Sequence, residues 1–514
     1  MFNIFSKKNK EKHTFKNETR PYQSEFVSDQ TLSNDLHKNI SIIKESFADT
    51  ADLVCKAINW NGKNGFLLYL ETLVDNELIE NHIIKPIKQA QGQPIIEVIT
   101  ALDVKESTKL SEIVKALTSG FCAFLLPKSS KVTLIKVSKQ NNRPPEEPFN
   151  EQVIRGAHIG FIEDLNTNIN IIRNQVQNPK LKVEYITLGK TVSTKVAIMY
   201  FDDLANKELI TKVKERIQSI SADFIQIPGY IQEYIEDRTY SPFPQTLNTE
   251  RPDRLIANLM DGRLGIMMNG TPTCLIAPST LISFFQSPDD YNGRVMIGSF
   301  YRFIRVFSFF VTIGLPALYI AVVSFHYESV PVELLFAIKS SLEPIPVPPL
   351  LEAIFMAVTL ELIREATIRL PNPVAQTIGV VGGLVIGNAV VDANLVSNMM
   401  IIVIAITAIS SFIMPSTEMS TTIRLLSFPL MLAAALFGLI GIVIGFLIIV
   451  IHLCKLESFG SPYFAPFGPL RWKELKDTII RFPTWMLNSR PKDAQAVYRT
   501  TQAENPREWD EKNE

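Results

Sequence analysis

The sequence predicts two α/β subdomains followed by an all-α transmembrane domain. Over the first 300 residues, segments with a helical period alternate with short apolar strands, the pattern of α/β units. A stretch with three prolines and mixed charges, NNRPPEEPFN at 141–150, divides two such units. After Arg305, four runs free of Lys, Arg, Asp and Glu follow one another at 306–325, 374–391, 395–414 and 427–454. A helix needs about 20 apolar residues to cross roughly 30 Å of hydrocarbon, so these runs are the predicted spans.

Residues 1–35 are polar and basic, lack the apolar run of a secretory signal, and are expected to form a disordered tail. In the first subdomain, 36–145, a helical face is expected through Ile40, Ile43, Phe47, Val54 and Ile58. After the NGKNG turn come the strand FLLYL from Phe66, a helix over 71–89, the strand IIEVI from Ile95, a helix over 109–120 and the strand FCAFLLP from Phe121, with KVTLIKV pairing beside it. The second subdomain, 150–295, is expected to hold a helix over 160–177, strands KVEYITL and TKVAIMYF, and a helix over 204–220. It ends on a hairpin, RLGIMMNGTPTCLIAP, in which Asn269-Gly270 suits a type I′ turn.

In the transmembrane domain, 300–454, the charged segment 350–370 is expected to be amphipathic or re-entrant. Arg294, Arg302 and Arg305 precede the first span with no acid after Tyr291, whereas the loop 326–349 carries three Glu and one Lys. Positive flanks stay cytoplasmic, so the soluble subdomains are expected inside. The tail, 455–514, carries six Lys/Arg against three acids over 455–490 and is expected inside too. The last run, 28 residues, would extend about 42 Å as one straight helix and would have to tilt or project.

With 51 Lys+Arg against 52 Asp+Glu in 514 residues, a net charge of -1, no nucleic-acid partner is expected. Cys55, Cys122, Cys274 and Cys454 lie far apart, which indicates neither a disulfide framework nor a zinc site; three are expected to be small buried hydrophobes. Phosphate-loop, nucleophile-elbow and zincin motifs are absent from the sequence, and no catalytic residue, cofactor or metal ligand is expected.

The residues that could carry function lie in the membrane half. On a helix over 350–370, Glu361, Arg364, Glu365 and Arg369 share one side, with Glu352 nearly opposite. Their i,i+3 and i,i+4 spacings allow mutual neutralisation. A charge in hydrocarbon costs from about 2.5 kcal/mol upward, so these groups must meet water, protein or each other. They line an ion pathway or lie on an interfacial helix. Gly379, Gly383 and Gly387 recur every fourth residue, which suits close helix packing or a pore constriction. Asn388 and Asp392 follow near the end of that run as further candidates for the pathway, and His452 reads as interfacial.

Three segments resemble the A subunits of bacterial spore germinant (nutrient) receptors of the GerA type. They are SPFPQTLNTERPDRLIANLMDGRLGIMMNGTPTCLIAP from Ser241, SPDDYNG from Ser287, and LELIREATIRLPNPVAQTIGVVGGLVIGNAVVDANLVSNMMIIVIAITAISSFIMPS from Leu360. Thr367 stands where that family has Gly, and Asn292 where it has an aromatic residue. The resemblance implies a subunit in the inner membrane of the spore, a multi-pass membrane protein with cytoplasmic ends. Its implied partners are a transporter-like, nutrient-binding B subunit and a lipoprotein C subunit. It further implies self-association as a pentamer and a ligand-gated cation channel that couples nutrient sensing to ion release. A secondary transporter of small solutes and a non-conducting scaffold are the alternatives.

Overall fold

The computed structural model describes residues 30–60, 63–89, 98–101, 103–139, 147–148 and 150–502. The first unit is built on a five-stranded antiparallel sheet of β1 (Leu53–Trp60), β2 (Lys63–Leu70), β3 (Val104–Ser107), β4 (Phe121–Leu125) and β5 (Val132–Lys136), in the order β1-β2-β4-β5-β3. One face packs on α1 (Leu36–Ser46) and α2 (Leu110–Thr118), the other on the helical stretch 76–89. Val54 and Ile58 belong to β1 and not to the first helix. α1 ends because Ala48 and Asp49 take positive φ values of 52° and 51°, and the chain re-emerges extended to pair with β2. Most of the N-terminal tail, Asn61 and Gly62 of the expected turn, most of the IIEVI strand and most of the linker lie outside the described residues. Val98 and Ile99 of that expected strand are buried but belong to no strand.

The second unit repeats the architecture with β6 (Leu181–Leu188), β7 (Thr194–Phe201), β8 (Leu247–Thr249), β9 (Leu264–Met268) and β10 (Cys274–Ala277), ordered β6-β7-β9-β10-β8 and antiparallel throughout. Its helices are α3 (Leu165–Val176), α4 (Lys207–Gln218), α5 (Pro228–Ile235) and α6 (Pro252–Met260). The β9–β10 hairpin forms as expected, but its loop is five residues long and Asn269 keeps a negative φ, so the turn is not type I′. The Asn269 side chain instead accepts a 3.2 Å bond from the Leu165 N–H at the start of α3. The two units are tied by a buried bidentate pair, Arg173 to Asp52 at 2.7 and 2.9 Å. Cys122 and Cys274 are buried, whereas Cys55 is only half-buried and Cys454 is exposed.

The helical half comprises α7 (Val295–Phe325), α8 (Val332–Leu342), α9 (Pro349–Ile368), α10 (Asn372–Asp392), α11 (Asn398–Phe412) and α12 (Thr417–Lys455). By length and composition α7 and α12 could cross a membrane. Segment 350–370, expected to be amphipathic or re-entrant, is one regular 20-residue helix, started by Pro349 in its first turn.

α12 is not straight. Gly438 holds φ 60° and ψ −140°, a conformation that only glycine adopts without strain, and the chain reverses there. The hairpin is visible in its contacts. A Cβ on Gly441 would collide with the Ala433 carbonyl oxygen, and one on Gly445 with Leu430. Thr422 donates to the Pro242 carbonyl at 2.6 Å while His452 meets the Ser241 hydroxyl at 2.8 Å. Those two residues would be about 45 Å apart on a straight helix. α12 is therefore two arms of about 31 and 26 Å, and the final run inside it does not extend as the single straight helix that would have had to tilt or project. His326, just after α7, lies 2.7 Å from the Cβ position of Gly438, so α7 and the α12 bend share the end remote from the soluble units.

The tail does not trail free. Residues 456–502 return to the second unit, burying Leu456, Phe459, Tyr463 and Ala494, and Arg263 pairs with Asp493 at 2.7 Å.

Candidate functional site

Glu352 sits in the first turn of α9 and is only 1% exposed. One carboxylate oxygen accepts a 2.9 Å bond from the Ser397 N–H, at the residue that caps α11; the other has no partner among the described residues. The Ser397 hydroxyl lies 3.2 Å from the Tyr319 hydroxyl of α7. Three helices thus meet at one buried carboxyl group.

Nine residues further along α9, about 13 Å away, Glu361 faces a different environment. Arg364 lies 3.6 Å from it, as the spacing predicted, but Arg424 of α12 provides the two-pronged contact, with both bonds at 3.2 Å. Arg364 also donates to the Ser411 hydroxyl at 3.1 Å and stacks over Phe412. Glu365 and Arg369 pair with each other on the exposed side, as expected from their i,i+4 spacing. Asn388 and Asp392 are exposed on α10, and among the described residues no hydrogen bond or ion pair joins them to Glu352 or Glu361. The candidate acids Glu352, Glu361, Glu365 and Asp392 therefore lie in four separate places and not in one cluster. At Gly379, Gly383 and Gly387 an added Cβ would meet no atom within 4 Å. Among the described residues nothing covers that edge of α10.

The strongest charge network lies where sequence reasoning placed only a positive flank. Asp290, fully buried, accepts from Arg302 at 2.9 Å and from Arg305 at 2.7 Å to each oxygen. Arg302 also reaches Asp477 of the tail at 2.7 Å, and Tyr291 donates to the same carboxylate at 2.6 Å. Arg481 donates to the backbone carbonyls of Asp290 and Gly293. Second unit, α7 and tail are thus locked by one hub. Asp290 precedes the interval in which no acid had been counted, and Asp477 is 175 residues from Arg302. Two of the three flanking arginines are consumed in buried pairs and are not left to face lipid headgroups.

Beside this hub, α6, the loop 280–292 and the tail enclose a cleft of about 820 Å³, lined among others by Asp261, Arg263, Gln286, Lys473, Lys476 and Asp493. Burial pushes the Asp261 carboxyl up to about 6, against the opposing pull of Arg263 and with added repulsion from Asp493.

Soluble sheets whose chain continues into a helical half with two helices long enough to cross a membrane, joined through a buried charge hub, define a membrane-associated protein with a large soluble head. The sequence profile described as "Bacillus/Clostridium GerA spore germination protein" matches residues 41–493. This chain belongs to the GerA family of spore germination proteins. Spore germination protein A1 of Bacillus subtilis (strain 168) is 38% identical over 462 residues, 89% of this chain and 95% of that protein. "Uncharacterized membrane protein YfkQ" of the same organism is 37% identical over 471 residues, 90% and 92% respectively. The crystal structure of the N-terminal domain of the A subunit of the Bacillus megaterium spore germinant receptor GerK3 is 26% identical, with a TM-score of 0.39, covering 49% of this chain and 98% of that one.

Proposed function

We propose that this chain is the A subunit of a spore germinant receptor, a self-associating protein of the inner spore membrane that couples nutrient sensing to cation release. In this reading α7, α9, α10, α11 and the two arms of α12 make six crossings, an even number that leaves the soluble units and the tail on the cytoplasmic side. A transporter-like B subunit and a lipoprotein C subunit complete the receptor, and five copies of this chain surround the pathway.

The observation that carries the reading is the uncovered glycine edge of α10. In lipid, helices associate through small residues that let backbones approach closely, and such an edge is complete only against another helix. Glu361, Glu365 and Asp392 keep partly or fully exposed carboxylates on the same helices, where they can meet a hydrated cation. The hub at Asp290 connects the soluble head to α7 and so supplies a route for coupling.

The test is single-channel recording of the full chain reconstituted in planar bilayers. Wild-type protein is expected to show discrete cation currents, and Glu361→Gln to change their size with oligomer content held constant. Intact oligomers without current would overturn the channel reading in favour of a scaffold. Saturable solute uptake by the chain alone would overturn it in favour of a carrier.

A further inference from the structure

We propose that the buried Glu352 carboxyl is a binding site for one monovalent alkali-metal ion, held between α7, α9 and α11. The inference deepens the ion-pathway reading at one of its candidate residues, yet it stands on geometry that does not require conduction.

An ionised carboxylate has about four acceptor positions, and here a single N–H bond, from Ser397, is supplied. Its second oxygen is buried without a partner among the described residues. Glu352 does lie at two helix N-termini, its own and that of α11. Each terminus offers about half a positive charge. Removing a full charge from water costs several kcal/mol per ion, so the two dipoles offset only part of it. The unmatched remainder is concentrated at the free oxygen, where an alkali-metal ion completes the balance.

The charged groups on the surrounding elements do not provide that balance. On α7, Tyr319 is the titratable group at the site, while Arg302 and Arg305 are bound to Asp290 at the other end of the helix. The α11 sequence contains no titratable residue. On α12, Arg424 is bound to Glu361, His452 to Ser241, and Glu418 and Lys455 lie at the ends beside the soluble units. On α10, Asp392 is exposed at the helix end, and on α8, Lys339 lies over Tyr327, with Glu333 in the first turn. The polar atoms at the site are oxygens from Glu352, Ser397 and Tyr319, ligands suited to a hard cation. One carboxylate is too few for a dedicated divalent site, and no group of three or more His, Cys, Asp or Glu with metal-holding geometry occurs among the described residues.

The experiment measures the apparent Tm of the full chain in detergent, for wild type, Glu352→Gln and Tyr319→Phe. It is read at pH 8 in choline chloride, and with NaCl or KCl replacing choline at constant ionic strength. NaCl or KCl is expected to raise wild-type Tm by roughly 2–4 °C, Glu352→Gln to lose the response, and Tyr319→Phe to need more salt to reach it. Parallel salt titrations of wild type and Glu352→Gln overturn the proposal. Should Glu352→Gln fail to fold, a wild type indifferent to alkali ion, or a Tyr319→Phe indistinguishable from wild type, overturns it equally. Absence of current in bilayers leaves this site standing, so its failure is distinguishable from failure of the channel reading.

Discussion

Two helices of the membrane half carry glycines at nearly the same spacing, and the structure uses them in opposite ways. In α12, Gly438, Gly441 and Gly445 are filled from within the chain: one makes the reversal and the other two let the arms touch. In α10, an added Cβ at Gly379, Gly383 or Gly387 would meet no described atom within 4 Å. The charges divide in the same way. Asp290 is enclosed and doubly paired, whereas among the described residues Glu365 pairs with exposed Arg369 alone. Features satisfied internally hold this chain together, and on the proposed function the open ones meet another surface.

The largest effect is expected at Gly441. Gly441→Leu would drive a side chain into the backbone of the facing arm, and loss of the folded monomer, read by circular dichroism and thermal unfolding in detergent, is the expected result. A normally folded variant would break the hairpin account. Asp290→Ala should cost about 3–5 kcal/mol, because it leaves two buried guanidinium groups without their carboxylate. Urea titration measures it, and a change below about 1 kcal/mol would show that Asp477 alone sustains the joint.

A smaller effect is expected at Asp261. Its folded-state carboxyl titrates near 6, above the ordinary carboxylate range, so the folded protein binds the proton that the unfolded chain releases between about pH 4 and 6. This contribution is fully present below about pH 4 and is lost as pH rises through 6. Asp261→Asn should flatten that part of the stability profile, and an unchanged slope would assign it to another group.

Much of this architecture was legible in the sequence, and the exceptions have physical causes. Charge-free runs announce helices because hydrocarbon excludes charge, and all four lie within α7, α10, α11 and α12 apart from short connecting ends. Glu361–Arg364 and Glu365–Arg369 followed from helical spacing. Val54 and Ile58 were misassigned because periodicity ran across a reversal set by two positive-φ residues of ordinary type, Ala48 and Asp49. Gly438 gave no warning, since a glycine that turns a chain and one that packs a helix look alike in a row of letters. Partners distant in sequence, Asp477 with Arg302 and Arg424 with Glu361, leave no local pattern at all. The Glu352 carboxyl was found, but its enclosure by Ser397 and Tyr319 needed three helices in place.

The central claim, that the α10 glycine edge is kept open for a second copy, is tested most directly by the mass of the full chain in nanodiscs for wild type and Gly383→Leu. The expected result is an oligomer for wild type and a shift toward monomer for Gly383→Leu, with thermal stability of the single chain changed by less than about 0.5 kcal/mol at this open position. A monomeric wild type, or a Gly383→Leu oligomer indistinguishable from it, would contradict the claim.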